Sequence, residues 1–170
     1  MGISEHLLTE FDHEMKTTRR TLERMPEGKP DWKPHSKSMA MGRLAGHLAE
    51  LVGFGASIIQ TDSMDMAQRR ADRKPLIAES RKQVLEVFDQ KVKEARAAIA
   101  ATSDEQWMKP WKLSMGPQTF YDGPRLGALR IMMMNHLIHH RAQVGVYYRM
   151  NDVPLISTYG PSADEMPEAM

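Results

Sequence analysis

The 170-residue chain reads as an all-α protein, a four-helix bundle forming one domain over residues 1–170, with an irregular tail from about 152. Three observations predict this. Apolar residues recur at three- and four-residue intervals in four long segments, the spacing of a helix with one buried face. Stretches rich in proline, glycine and charge separate those segments. No alternating strand set, internal repeat, Gly-rich phosphate loop or Gly-x-Ser-x-Gly elbow is present.

In the first segment, Ser4 caps a helix that carries Leu7, Leu8, Phe11, Met15, Leu22 and Met25 on one side and ends at or before Pro26. PEGKPDWKPHSKS is a proline-studded connection in which Trp32 tucks against the bundle. Ser36 or Ser38 starts the second helix, which runs to about Gln60. Its glycines, Gly42, Gly46, Gly53 and Gly55, either admit a neighbouring helix or clear space for a ligand. Residues 61–75, TDSMDMAQRRADRKP, lack an apolar stripe and form a linker or a short exposed helix, long enough for an end-to-end crossover. A third helix spans about Leu76 to Ala101 and buries Val84, Leu85, Phe88, Val92, Ala95 and Ile99. Ser103 caps a short turn ending near Trp107, and KPWKLSMGPQTFYDG, 109–123, is irregular or briefly extended, placed to roof a site. Pro124 opens the last helix, which closes near Asn151.

The formal net charge is +1 with mixed-sign segments, which gives no basic face for nucleic acid or an anionic membrane and favours a small-molecule partner. Cysteine is absent, so thiolate metal sites and cysteine nucleophiles are excluded and a reducing, cytoplasmic setting is expected. The amino-terminal residues MGISEHLLTEFDHEM do not read as a secretory signal, and no apolar run is long enough to span a bilayer. Fifteen methionines, three of them at 132–134, read as adaptable core filling.

Chemistry concentrates in NHLIHHRAQVGVYYR, residues 135–149. His136 and His140 stand one helical turn apart on one face, whereas His139 lies about 100° away and falls outside the pair. A metal centre with an open position needs a third protein ligand. His47 is the best candidate, because Leu44, Leu48 and Leu51 place it beside a buried stripe; His6, His13 and His35 sit in polar or irregular surroundings. Asn135, Gln143 or a backbone carbonyl can fix a ring's second nitrogen. Glu50, three residues after His47, is a supporting carboxylate or base, or an ordinary exposed residue.

NHLIHHRAQ resembles the His-x-x-x-His-Arg-x-Gln signature of the DinB/YfiT-like superfamily, and VPLISTYGPSADE, 153–165, resembles the ending of one of its branches. Ala142 stands where many members have glycine. The resemblance implies an up-down-down-up bundle, usually a homodimer, with nickel or zinc held by His47, His136 and His140. It also implies a thiol-dependent transferase or isomerase using bacillithiol, mycothiol or glutathione, or a small-molecule hydrolase. The alternative is a non-catalytic metal-binding or dimerisation bundle with structural histidines.

Overall fold

The computed structural model describes residues 2–72 and 74–167; position 73 of the expected linker and 168–170 of the expected tail lie outside the described residues. Four long helical units form the bundle: α1 (Ile3–Leu22), α2 (Met41–Gln60), α4 (Arg81–Ala101) and a final composite helix. The composite joins α6 (Arg125–Ala128), a π-helix (Leu129–Asn135) and α7 (His136–Arg149) without a break. Helices α1 and α2 each pack against both α4 and α7, so they occupy opposite corners. Between them lie Phe11, Leu22, Leu44, Leu48, Phe88, Ile99, Met133 and Leu137, all fully buried.

The purely all-α expectation is corrected by a three-stranded sheet. Strand β1 (Ser63–Asp65) pairs in parallel with β2 (Pro110–Met115), which pairs antiparallel with β3 (Gln118–Pro124). The cause is visible in β2, where Trp111 and Leu113 alternate with Lys112 and Ser114. Trp111 and Leu113 bury themselves in a second apolar cluster with Phe54, Ile58 and Ala128. Gly116, at φ +56°, makes the tight reversal into β3. The predicted charged linker thus supplies both β1 and a short helix, α3 (Met66–Asp72).

Helix starts differ from expectation for a common reason: carbonyls and carboxylates from distant segments replace the predicted serine caps. At α1 the N–H groups of Gly2 and Ile3 donate to Glu5 and Asp104, while Ser4 Oγ donates to the Thr102 carbonyl and accepts from Trp107 Nε1. At α2 the N–H groups of Met41 and Gly42 donate to the carbonyls of Trp32 and Pro30, so the helix begins past Ser36 and Ser38. Helix α4 begins at Arg81 instead of Leu76, with Ser80 Oγ accepting from the Gln83 N–H at 3.2 Å. Ser103 caps α5 (Asp104–Met108) as predicted.

Residues 76–78 are kept out of that helix because they lie against α2. A Cβ on Gly42 would fall 2.5 Å from the Ala78 carbonyl oxygen, and one on Gly46 would fall 2.3 Å from that of Leu76. These glycines admit an extended segment, not a helix. Glu50 anchors the same segment, accepting from the Leu76 N–H at 2.9 Å and from Arg43 at 3.0 Å.

One buried ion pair ties α1 to α7 and the tail. Arg141 Nη1 lies 2.7 Å from Glu14 Oε2, in ion-pair contact and not in line for a hydrogen bond, with both side chains almost wholly buried. Arg141 also donates to the Glu14 carbonyl, Thr18 Oγ1 and, at 2.8 Å, the Tyr159 hydroxyl, which itself donates to Glu14 Oε1. Farther along the tail, Glu165 pairs with Arg20 and Arg24, and Asp164 with Arg149. Glu14→Ala strands the guanidinium in a desolvated position. It is expected to destabilise the fold by about 3–5 kcal/mol in urea unfolding, and a loss below about 1 kcal/mol would contradict the role given to this pair.

Candidate metal centre

Helix α2 brings His47 to the site, and α7 brings His136 and His140 from its first and second turns. The ring centroids lie 5.2 Å apart for His47 and His136, 4.6 Å for His47 and His140, and 4.7 Å for the pair on α7. One nitrogen from each ring lies within 4.8 Å of the others. The three histidines singled out from the sequence therefore converge. His6 and His35 are exposed elsewhere, and His13 stacks against Tyr159.

The hydrogen bonds fix which nitrogens face inward. His140 Nδ1 lies 2.7 Å from Gln143 Oε1, an acceptor, so Nδ1 carries the proton and Nε2 keeps its lone pair. His136 gives a ring N–H to the carbonyl of Met132, one turn earlier. Yet His136 Nε2 and His140 Nε2 stand only 2.9 Å apart. Two lone pairs at that distance repel unless a proton or a cation lies between them. Three imidazoles around a tetrahedral cation with bonds of about 2.0–2.1 Å would have nitrogens roughly 3.3 Å apart, a small adjustment from this geometry. The donor set fits a divalent ion.

Electrostatics point the same way. Burial is the largest cause lowering the pKa of all three histidines, and mutual repulsion among the rings adds to it. His47 is pushed down to about 3, with Arg43 contributing. The rings are thereby held neutral, the form that binds metal. The outer neighbour His139 is exposed and accepts from Gln143 Nε2 at 3.0 Å, so Gln143 bridges it to His140.

A cavity of about 490 Å³ opens beside His47 and His136. Its walls include Leu51 and Phe54 of α2, Met66 of α3, Leu113 of β2 and Met132 of the π-helix, with Arg43, Glu50 and Arg69 as polar members. Residues 109–123 contribute to this wall through Leu113, which bears out part of the predicted roof. Met133 and Met134 are core filling as expected, whereas Met132 faces the cavity. Glu50 is neither a free base nor an exposed residue: Arg43 and the Leu76 N–H occupy its carboxylate.

Sequence reasoning missed Arg43, Phe54 and Arg69. Arg43 had a local signal, one turn before His47 on the same helix. The others depended on where α3 docks.

The sequence profile of the DinB superfamily matches residues 10–144. The chain belongs to the DinB superfamily. No curated protein matches the sequence. Among solved structures, a DinB-like protein from Bacillus subtilis is 16% identical, with a TM-score of 0.67 over 88% of this chain and 96% of that one. Another, from Bacillus cereus, is 15% identical, with a TM-score of 0.67 over 91% and 97%. At these identities the likeness establishes a shared fold. This DinB fold adds the sheet and the π-helix described above to its helical bundle.

The lowered histidine pKa values set a pH dependence for metal-free protein. Because the unfolded chain binds more protons in mild acid than the folded one, stability is complete above about pH 6.5 and declines as pH falls from there towards about 3. Chelated protein should show a lower urea midpoint at pH 5 than at pH 7.5, and His47→Leu should shrink that difference. A midpoint that rises on acidification would contradict the assignment.

Proposed function

We propose that this DinB-superfamily protein is a divalent-metal-dependent enzyme acting on a small molecule, either transferring a low-molecular-weight thiol to an electrophile or hydrolysing its substrate. The observation that carries the reading is the convergence of three neutral imidazoles at the edge of a largely apolar cavity. His47, His136 and His140 would hold the ion, with nickel and zinc the metals proposed because imidazole suits both. Such an ion supplies Lewis acidity, lowering the pKa of a water or thiol that joins it.

The chain's own residues do the rest. Gln143 Oε1 holds the His140 Nδ1 proton and the Met132 carbonyl holds that of His136, which aims both rings inward. Three histidines bring no negative charge, so the ion would keep its full charge. Leu51, Phe54, Met66 and Leu113 exclude water from the adjoining space. Arg43, held by Glu50 and the Leu76 carbonyl, keeps a positive charge next to His47. A homodimer is part of the proposal, supported by the half-exposed Ile131, Val146 and Met150 of the final helix and the turn that closes it.

Untagged protein should contain stoichiometric nickel or zinc by elemental analysis and should conjugate a small thiol to an electrophile or cleave an activated ester. His47→Ala and His140→Ala should lose metal and turnover while keeping helical circular dichroism. Gln143→Ala should weaken metal binding by about 10–100-fold. Full turnover in chelated protein would defeat the enzyme proposal. A metal-dependent rise in Tm with no substrate consumed would instead leave the histidines a structural role. Sedimentation of the same samples as a single monomeric species would remove the dimer.

A further inference from the structure

The cavity beside the histidines has a chemical character that narrows what it receives. Its apolar walls come from separate elements, so the cavity exists only in the folded chain. At about 490 Å³ it falls in the range of pockets that enclose a small organic molecule. Its charged members are two guanidiniums, Arg43 and Arg69, and one carboxylate, Glu50. That carboxylate is already engaged by Arg43 at 3.0 Å and by the Leu76 N–H at 2.9 Å. A ligand therefore meets hydrogen-bond donors and positive charge, with little acceptor capacity to balance them.

Arg69 is placed to read a charge. Its guanidinium carbon sits 5.0 Å over the Phe54 ring, and Nη1 lies 3.0 Å from Met64 Sδ. The flat group is thus braced against the aromatic wall. A guanidinium offers five N–H donors, more than any single partner uses, in a fork that matches a carboxylate, sulfonate or phosphate. The histidine cluster and Arg69 border the same cavity, with Leu51, Phe54 and Met132 also on its wall.

We infer that the substrate is a small organic anion: an apolar body seated on Leu51, Phe54, Leu113 and Met132, an anionic group bound by Arg69, and its reacting end turned to the three histidines. This names the substrate class for the enzyme proposed above and rests on that reading for the identity of the reacting end. Cationic substrates are disfavoured by the two guanidiniums, and strongly polar uncharged ones by the apolar walls.

The test uses the full chain and three probes of matched length, 1-hexanesulfonate, 1-hexanol and hexyltrimethylammonium, titrated by calorimetry into metal-loaded and chelated protein. Sulfonate is chosen because it is a poor metal ligand. It should bind about tenfold or more tightly than 1-hexanol with or without metal, and the ammonium probe should bind most weakly. Arg69→Gln should reduce the preference for sulfonate over hexanol by about tenfold, and Arg69→Lys should restore part of it. Metal content should stay unchanged in both variants. Equal affinity for sulfonate and hexanol, or a preference untouched in Arg69→Gln, overturns the inference. Elemental analysis of the same samples separates the two readings. An anion preference without bound metal would sink the metalloenzyme and spare this site, whereas bound metal without an anion preference would do the reverse.

Discussion

The rotation of the final helix is fixed by the pairing of Arg141 with Glu14, and the candidate centre depends on it. His140 and Arg141 are consecutive, so their side chains leave α7 about 100° apart. One turns towards α2 and His47, the other towards α1 and Glu14. A buried guanidinium deprived of its carboxylate is far costlier than a lost apolar contact, so α7 cannot roll to a different angle without breaking that pair. Tyr159 closes the arrangement from the tail, its hydroxyl donating to Glu14 and accepting from Arg141. The tail residues that resemble a family ending are thus docking groups: Tyr159, Asp164 and Glu165 each meet a cation on α1 or the final helix.

At the centre itself, the chain has arranged neutral rings where charge would be the easier state in water. Burial and mutual proximity keep the imidazoles unprotonated, and the outward nitrogens of the α7 pair are tied to Gln143 and to a main-chain carbonyl. What faces inward is therefore electron-pair density, held at short range by two helices that meet through a common core. Arg43 keeps positive charge close by, which favours anions over cations in the adjoining cavity.

Much of this was legible from the residues. Periodicity located the four long helical units because each buries one continuous face, and the spacing of His136 and His140 together with the stripe around His47 identified the three rings. The sheet was not legible as a sheet: β1 is three residues long, and β2 shows its alternation only across Trp111, Leu113 and their polar neighbours. Helix starts were misplaced where backbone carbonyls and carboxylates from distant segments took the role expected of nearby serines, as at Met41. The cavity wall lay beyond local reasoning, since Phe54 and Arg69 become neighbours only when α3 folds back against α2.

The π-helix from Leu129 to Asn135 has a consequence for how this chain can vary. A π-turn takes up one more residue than an α-turn, and one residue corresponds to about 100° of winding. The stretch therefore works as an indexing step: everything downstream is clocked relative to Trp111 and the sheet by the slack it stores. Losing a single residue there would tighten the coil and swing the imidazole pair towards a different corner of the bundle, although no ligand, cap or core side chain had been altered. Length in this segment is as much a part of the centre as the histidines themselves.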